Sequence, residues 1–151
     1  MTVVRPATPD DIDALAQLAA EMDRFYGATE VEPLDIRRQQ IQEALFGDLP
    51  AAHALLATDE DAAIGFAAYS FLWPAVGLTR SLYLKELYVT QARHRGGVGR
   101  QMMESLFEVA RKHDCSRVEW TTDQDNPGAQ AFYETFGVEP KDSKLFYRLE
   151  Q

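Results

Sequence analysis

Several residue types are scarce in this chain, and each scarcity excludes a class of site or location. The 151 residues contain one cysteine, Cys115, and three histidines, so no internal disulfide can form and a metal site has little support. The missing disulfide suits a reducing compartment. No apolar run approaches the length of a membrane span, and the first residues lack the apolar stretch of a signal peptide. We therefore expect a cytoplasmic protein with no metal and no membrane contact.

Positive charge is scarce as well. The chain has 15 lysines and arginines against 24 acidic residues, which gives a net charge of −9. Because nucleic-acid binding requires a basic face, no nucleic-acid partner is expected. The length fits a single domain over residues 1–151 that buries its own core, and the sequence leaves open whether that domain is a monomer or a homodimer.

The most informative stretch runs from residue 81 to residue 110. Residues 81–89 alternate with a period of two, which predicts a strand, and residues 98–110 carry apolar side chains at helical spacing, which predicts an amphipathic helix. A single alternation would place on one face Leu82, Leu84, Glu86 and Tyr88, and on the other Tyr83, Lys85, Leu87 and Val89. Between strand and helix lies a basic, glycine-rich turn, residues 93–100.

The turn at residues 93–100 has the features of an anion site. The start of a helix presents free backbone N–H groups and the positive end of the helix dipole, and here three arginines add full charges. A phosphate or pyrophosphate is the predicted ligand, with a tight turn and a solvated basic edge as the alternative. The motif is neither a Walker loop, since Arg100 and Gln101 follow Gly99, nor a dinucleotide fingerprint, since Met102 takes the place of its last glycine.

The rest of the chain reads as further helices and strands. Strands joined by short turns pair antiparallel, whereas a strand, a crossover helix and another strand make a parallel pair, so a mixed sheet is expected. The predicted strands besides the central one are Val3–Arg5, His53–Thr58, Ile64–Leu72, Arg117–Thr121 and Lys144–Leu149. The other predicted helices start at Thr8 and end at Gly27, span Leu34–Phe46, and lie between Asn126 and Gly137.

This order of elements, the basic Gly-x-Gly turn and the segment from Asn126 to Gly137 together resemble the GNAT superfamily of acetyl-CoA-dependent N-acetyltransferases. Residues 83–89, with Glu119 and Trp120 on the next strand, look most like its diamine and polyamine acetyltransferase branch. The resemblance implies an α/β (α+β) fold with a mixed, mostly antiparallel sheet of six or seven strands and four helices, splayed at the two central parallel strands.

The resemblance also implies acetyl-CoA as the co-substrate, with no metal. The pantetheine arm would run along Leu87, Tyr88 and Val89, and Asn126 and Tyr133 would contact the cofactor. The pyrophosphate would lie on the turn formed by His94, Arg95, Gly96, Gly97, Val98, Gly99 and Arg100. The family commonly has arginine or glutamine where this chain has His94, so the side chain that contacts the pyrophosphate is left open, while the backbone N–H groups keep their role.

Two residues are candidates for proton transfer. An acceptor amine must lose a proton before it attacks the thioester, and Glu86 is the candidate base because a carboxylate is out of place in this apolar strand. An ion pair or an edge position is the alternative, and a bulge would change its face. By resemblance, Tyr133 is the general acid for the departing thiolate, with a core aromatic as the alternative. Direct attack is expected, because Cys115 lies at the far end of the predicted long helix.

The acceptor is expected to be a small cationic or amino-acid-like amine. The diamine branch typically has two adjacent acids in the central strand, and here the first is Lys85, which leaves a long polyamine in doubt. The predicted substrate-site residues are Tyr26, Glu30, Trp73, Tyr83 and Glu86. Two alternatives remain open: acetylation of a protein or peptide, which requires an open groove, and a non-catalytic acyl-CoA-binding sensor.

Overall fold

The computed structural model describes residues 1–151. Its strands are β1 (Thr2–Pro6), β2 (His53–Asp59), β3 (Ala62–Leu72), β4 (Arg80–Val89) and β5 (Cys115–Trp120). Its helices are α1 (Ile12–Phe25), α2 (Leu34–Phe46), α3 (Val98–Lys112) and α4 (Pro127–Glu134). The chain forms two compact units, Met1–Trp120 and Thr121–Gln151. None of the helices is long and apolar enough to cross a membrane.

The five strands form one mixed sheet in the order β1-β2-β3-β4-β5. The first four strands pair antiparallel, and β5 runs parallel to β4. The prediction of a mixed, mostly antiparallel sheet is confirmed, but the sheet has five strands rather than six or seven, and its parallel pair lies at one edge rather than at the centre.

The prediction of a last strand at Lys144–Leu149 is wrong. The structure assigns no strand to these residues, and the side chains of Leu145, Phe146 and Tyr147 are exposed. A period-two pattern becomes a strand only where a neighbouring strand completes its backbone hydrogen bonds. Residues 144–149 have strand-forming residues but pair with no neighbouring strand.

Helices cover the two faces of the sheet differently. On one face, Leu15 and Leu18 of α1 pack with Leu56, Phe66 and Tyr88 in one buried cluster, which Ile41 and Leu45 of α2 border. On the other face lies α3, whose Met102, Met103 and Leu106 are fully buried. Neighbouring residues of a strand point to opposite faces, and Gly65, next to Phe66, accordingly faces α3. A side chain at Gly65 would approach the Met102 sulfur to 3.3 Å and the Tyr88 carbonyl oxygen to 2.8 Å.

The start of α1 is held by a buried carboxylate. Thr8 precedes a short 3-10 turn, Pro9–Asp11, and α1 follows it. The Asp11 carboxylate accepts hydrogen bonds from the Thr8 backbone N–H at 2.8 Å and from the Arg5 guanidinium at 2.7 and 2.9 Å. The Arg5 hydrogen bonds lower the pKa of the Asp11 carboxyl from about 3.8 to about 2. Asp11 therefore ties β1 to the first helix.

Replacing Asp11 by asparagine is expected to destabilise the protein at neutral pH by about 2 kcal/mol, because the native carboxyl has the lower pKa. A lowered native pKa stabilises the fold above the unfolded value, and this contribution is lost as the pH falls from about 4 to about 2. Urea unfolding of both proteins across this range measures it. The difference in stability between wild type and Asp11→Asn should shrink towards low pH; a constant difference would contradict the role of the charge.

Candidate active site

The turn between β4 and α3 leaves the start of a helix without a cap. The chain leaves β4, makes a short 3-10 turn at Gln91–Arg93 and enters α3 at Val98. Gly97 is the N-cap residue, with a φ of 83° that favours glycine, and no side chain caps the helix. The N–H groups of the first helical turn have no partner within the helix, and the helix dipole makes this end positive. The strand, the glycine turn and the uncapped helix start predicted from the sequence are thus present, and their role as an anion site stays a prediction.

The arginines of this turn do not act alike. Arg93 donates to the Asp59 carboxylate at 2.5 Å. The Met1 amino group donates to the other oxygen of the Asp59 carboxylate at 2.7 Å. Arg100 lies 3.7 Å from Glu104 on α3. Arg95 forms no ion pair and has a φ of 65°, a conformation that costs a non-glycine residue about 1 kcal/mol. Arg95 is therefore the arginine of the turn that has no carboxylate partner.

The His94 ring has two partners within the protein, and its predicted contact with a cofactor stays a prediction. Its ring Nε2–H donates to the Val89 carbonyl oxygen at 2.7 Å, and the ring packs edge-on against Phe25 with centroids 5.8 Å apart. These contacts fasten the turn to the end of β4 and to α1. The ring thus holds the turn in place.

The far half of β4 has an open edge. β5 pairs with β4 only as far as Leu84, so no strand pairs with the residues after it on that side. The Thr90 N–H donates to the Ile64 carbonyl of β3 at 2.9 Å. Because antiparallel ladders alternate, the backbone groups of Leu87 and Val89 point away from β3, towards the open edge, whereas those of Tyr88 point to β3. This edge therefore presents the backbone groups of Leu87 and the N–H of Val89, whose carbonyl oxygen accepts from His94.

A bulge in β4 decides where Glu86 points. Tyr69 of β3 pairs with Leu84, and Ala68 pairs with Glu86, so Lys85 is an extra residue between them. Before the bulge, Leu82 and Leu84 face α3. After the bulge, Leu87 and Val89 face α3. The single alternation predicted from the sequence is wrong for this reason. The bulge turns Glu86 to the α1 face of the sheet, the face shared by Ala68.

Two tyrosines of β4 share the face of Glu86. Tyr83 precedes the bulge and Tyr88 follows it. The buried Tyr88 donates its hydroxyl to the Glu21 carboxylate of α1 at 2.6 Å, and burial together with this bond raises the pKa of the Tyr88 phenol. On the same face, the Ser81 hydroxyl donates to Glu119 of β5 at 2.6 Å. Acidic and phenolic groups therefore line the α1 side of β4 on both sides of Glu86.

A pocket opens beside Tyr88 on this face, with a volume of about 420 Å³. Its walls come from the end of α1 and from the chain that follows β4: Glu21, Arg24, Phe25, Tyr88, Thr90, Gln91 and Ala92. Among these residues, only Tyr88 was predicted from the sequence as a site residue. Helical spacing could have indicated Glu21, which lies three residues after the buried Leu18 and so on the sheet-facing side of α1.

The other predicted substrate residues are not all near one another. Tyr26 is 62% exposed and packs edge-on against Phe25, which lines the pocket. Glu30 is exposed in the connection between α1 and α2. Trp73 lies before the start of β4, at the opposite end of that strand from the glycine turn, and its indole N–H donates to the Leu78 carbonyl. The structure brings Tyr83 to the face of Glu86 and places Trp73 away from the pocket.

Cys115 begins β5, immediately after the C-terminal end of α3. Burial raises the pKa of its thiol, which leaves little reactive thiolate at neutral pH. Cys115 thus lies at the end of α3 opposite the glycine turn, as predicted, and direct attack by the amine stays a prediction.

The unit Thr121–Gln151 carries the other two predicted site residues on α4. The Asn126 side chain accepts the Ala129 N–H at 3.1 Å and so caps the helix, as predicted. Tyr133 is half-buried, with its ring 5.2 Å from that of Phe132, which in turn packs edge-on against Phe136. The catalytic role of Tyr133 stays a prediction.

Comparison with known proteins gives consistent results. The sequence profile described as the acetyltransferase (GNAT) family matches residues 15–138. A structure described as integron cassette protein VCH_CASS6, from the mobile metagenome of V. cholerae, superimposes with a TM-score of 0.91 at 26% identity, over 99% of this chain and 93% of that one.

Three curated relatives are N-acetyltransferases or named for one. The Saccharomyces cerevisiae D-amino-acid N-acetyltransferase HPA3 is 33% identical over 60% of this chain and 55% of its own length. The bovine thialysine N-epsilon-acetyltransferase is 25% identical over 91% and 84%. The human spermidine/spermine N(1)-acetyltransferase-like protein 1 is 28% identical over 75% of this chain, which spans only 17% of that protein. The chain spans only 17% and 55% of the human and yeast relatives, and it belongs to the GNAT acetyltransferase family.

Proposed function

We propose that this single-domain enzyme transfers an acetyl group from acetyl-CoA to a primary amine of a small cationic or amino-acid-like substrate, by direct attack of the amine. One observation carries the proposal: the open edge of β4 after Leu84 leads directly to the uncapped start of α3. An extended arm with amide groups fits the first feature, and a diphosphate fits the second. Coenzyme A joins these two chemical groups in one molecule.

The residues present fit such a cofactor. Backbone groups of Leu87 and Val89 would hold the pantetheine amides, and the N–H groups that open α3 would hold the diphosphate with Arg95. Gly97 keeps the backbone accessible, since its αL conformation needs no side chain. The cofactor supplies an acetyl group activated as a thioester, and the chain must position the amine and manage its protons.

Removing the proton of the amine is the costly step. A primary amine with a pKa near ~10 is neutral in about one molecule in ~10³ at neutral pH, a cost of roughly 4 kcal/mol. Glu86 is the proposed base, directly or through a water, because the bulge presents its carboxylate on the α1 face between Tyr83 and Tyr88. Tyr133 is the proposed acid for the departing thiolate, a role carried over from the resemblance of its segment to the family.

Support also comes from the relatives. The yeast protein is named for D-amino acids and the bovine protein for thialysine, both small molecules that carry an amine. The test is an acetyl-CoA consumption assay with amino acids, diamines, polyamines and peptides as candidate acceptors. Titration calorimetry measures coenzyme A binding alongside it. Turnover on a small amine is expected. Binding of coenzyme A without turnover on any amine would indicate an acyl-CoA sensor instead, and turnover on peptides alone would indicate a protein acetyltransferase.

Replacing Arg95 by glycine separates its charge from its backbone strain. Glycine adopts the φ of 65° without cost, so the melting temperature should be unchanged or higher. The affinity for coenzyme A should fall about tenfold, because a charged hydrogen bond to phosphate is lost. Titration calorimetry measures the affinity of the wild type and of Arg95→Gly for coenzyme A. Arg95→Lys, which keeps the charge, should lose less, and Arg111→Gln at the other end of α3 should lose nothing; an unchanged affinity in Arg95→Gly would exclude Arg95 from the anion site.

A further inference from the structure

The pocket beside Tyr88 contains groups of both charges. Glu21 and Arg24 lie three residues apart on α1, so their side chains are neighbours on the helix surface, and both line the pocket. The Glu21 carboxylate is fixed by the Tyr88 hydroxyl at 2.6 Å and keeps a second oxygen for another donor. Arg24 forms no ion pair with any carboxylate, although acidic residues outnumber basic ones in the chain. The pocket thus offers a carboxylate that can bind a cation and a guanidinium that can bind an anion.

The rest of the wall suits a small polar molecule. Thr90 and Gln91 add a hydroxyl and an amide that can form further hydrogen bonds, and the Phe25 ring provides an apolar surface beside them. A volume of about 420 Å³ is enough for a free amino acid and small for a folded partner. The ligand that matches this wall carries an ammonium and a carboxylate close together.

The pocket also lies at a useful distance from Glu86. Tyr88 and Glu86 are two residues apart, on the same side of the sheet and on the same side of the bulge. Two residues of strand span about 7 Å. The extended side chain of lysine covers a similar length, so a head group beside Tyr88 would place a side-chain amine near the Glu86 carboxylate.

We propose that the pocket binds the α-ammonium group of a free amino acid at Glu21 and its α-carboxylate at Arg24, so that the side-chain amine of that amino acid reaches Glu86 and accepts the acetyl group. The proposal rests on the proposed function and gives it a substrate class. A diamine has an ammonium for Glu21 but no carboxylate for Arg24, so it lacks one of the two head-group contacts. A residue within a peptide has neither a free α-ammonium nor a free α-carboxylate.

A pair of substrates isolates the carboxylate. Lysine, as separate L and D enantiomers, differs from 1,5-diaminopentane only by the carboxylate. The wild-type enzyme should prefer at least one lysine enantiomer by about tenfold or more in kcat/KM. Arg24→Gln should lower kcat/KM for that enantiomer by about 10- to 100-fold, mainly by raising KM, because charged hydrogen bonds made in the ground state are lost. Its activity on 1,5-diaminopentane should stay within about threefold of the wild type.

Further variants serve as controls. Arg24→Lys should recover part of the loss, because it keeps the charge. Arg38→Gln makes the same chemical change on α2, where Arg38 pairs with Asp13, and should leave both substrates unaffected. A preference of the wild type for the diamine, or an equal loss on both substrates in Arg24→Gln, would overturn the head-group site while leaving the acetyltransferase function intact.

Binding without reaction separates the two proposals. Calorimetry of the protein saturated with coenzyme A, which carries no acetyl group, measures lysine binding in the absence of turnover. Arg24-dependent binding without acetylation would support the pocket and refute the proposed function. Acetylation of amines without Arg24-dependent binding of either lysine enantiomer would refute the pocket.

Discussion

Replacing Glu86 by glutamine is expected to lower kcat/KM for the acceptor amine by about 10²- to 10⁴-fold at neutral pH. Glutamine keeps the size and the hydrogen-bonding shape of the side chain but cannot accept the proton of the attacking ammonium. The variant should depend on amine that has already lost its proton in solution. Its rate should therefore rise about tenfold per pH unit up to the pKa of the amine, whereas the wild type should level off earlier. A pH–rate profile of both enzymes measures this.

A binding measurement and a control variant accompany that experiment. The Glu86→Gln variant should bind coenzyme A within about twofold of the wild type, because the carboxylate faces α1 while the proposed cofactor edge is formed by backbone groups. Glu108→Gln, at an exposed position of α3, should leave the activity unchanged. If Glu86→Gln keeps most of its activity at neutral pH, the carboxylate has a structural role in the strand and the base lies elsewhere.

Replacing Tyr133 by phenylalanine is expected to lower kcat by about 10²-fold while the affinity for coenzyme A is retained. The change removes one hydroxyl and leaves the ring beside Phe132 in place. The thiolate would then depart without a positioned proton donor, which affects the chemical step and not the binding of the cofactor. Single-turnover kinetics with acetyl-CoA and calorimetry with coenzyme A distinguish these two effects.

The control for Tyr133 is the same change elsewhere in the unit Thr121–Gln151. Tyr147 is 84% exposed, and Tyr147→Phe should keep full activity. Full activity in Tyr133→Phe would assign the proton transfer to another group. A large loss of folded protein in Tyr133→Phe, measured by its melting temperature, would instead assign the hydroxyl to the stability of α4.

Local sequence signals predicted the helices well. Residues 34–46 form α2 within the predicted bounds, because Pro33 precedes the first turn and Gly47 follows the last one. Asn126 and Pro127 likewise mark the start of α4, where the predicted cap is made. Such signals act between residues a few positions apart, and the sequence shows them directly.

Contacts between distant residues were missed. Arg93 was counted among the three arginines that make the turn basic, but Asp59, 34 residues away in sequence, binds it. Glu21 was not singled out, and the bond that fixes it to Tyr88 spans 67 residues. Neither pairing leaves a periodic trace in the sequence, because each depends on how the elements pack. A bulge near Glu86 was considered, but its position could not be predicted for a related reason: the alternation on each side of Lys85 looks regular, and only the register with β3 reveals the extra residue.

The extra residue at Lys85 also affects how distant relatives should be compared. In a regular strand, a misplaced gap shifts every side chain to the wrong face, and the error is easily noticed. At this bulge, a gap one position too early or too late exchanges an inward-facing position for an outward-facing one over only two or three residues, and Glu86 is one of them. An alignment can therefore score well and still match Glu86 with a residue that faces α3. Whether a relative has an equivalent carboxylate is decided by counting residues from the β3 pairing, not by the letters that happen to line up.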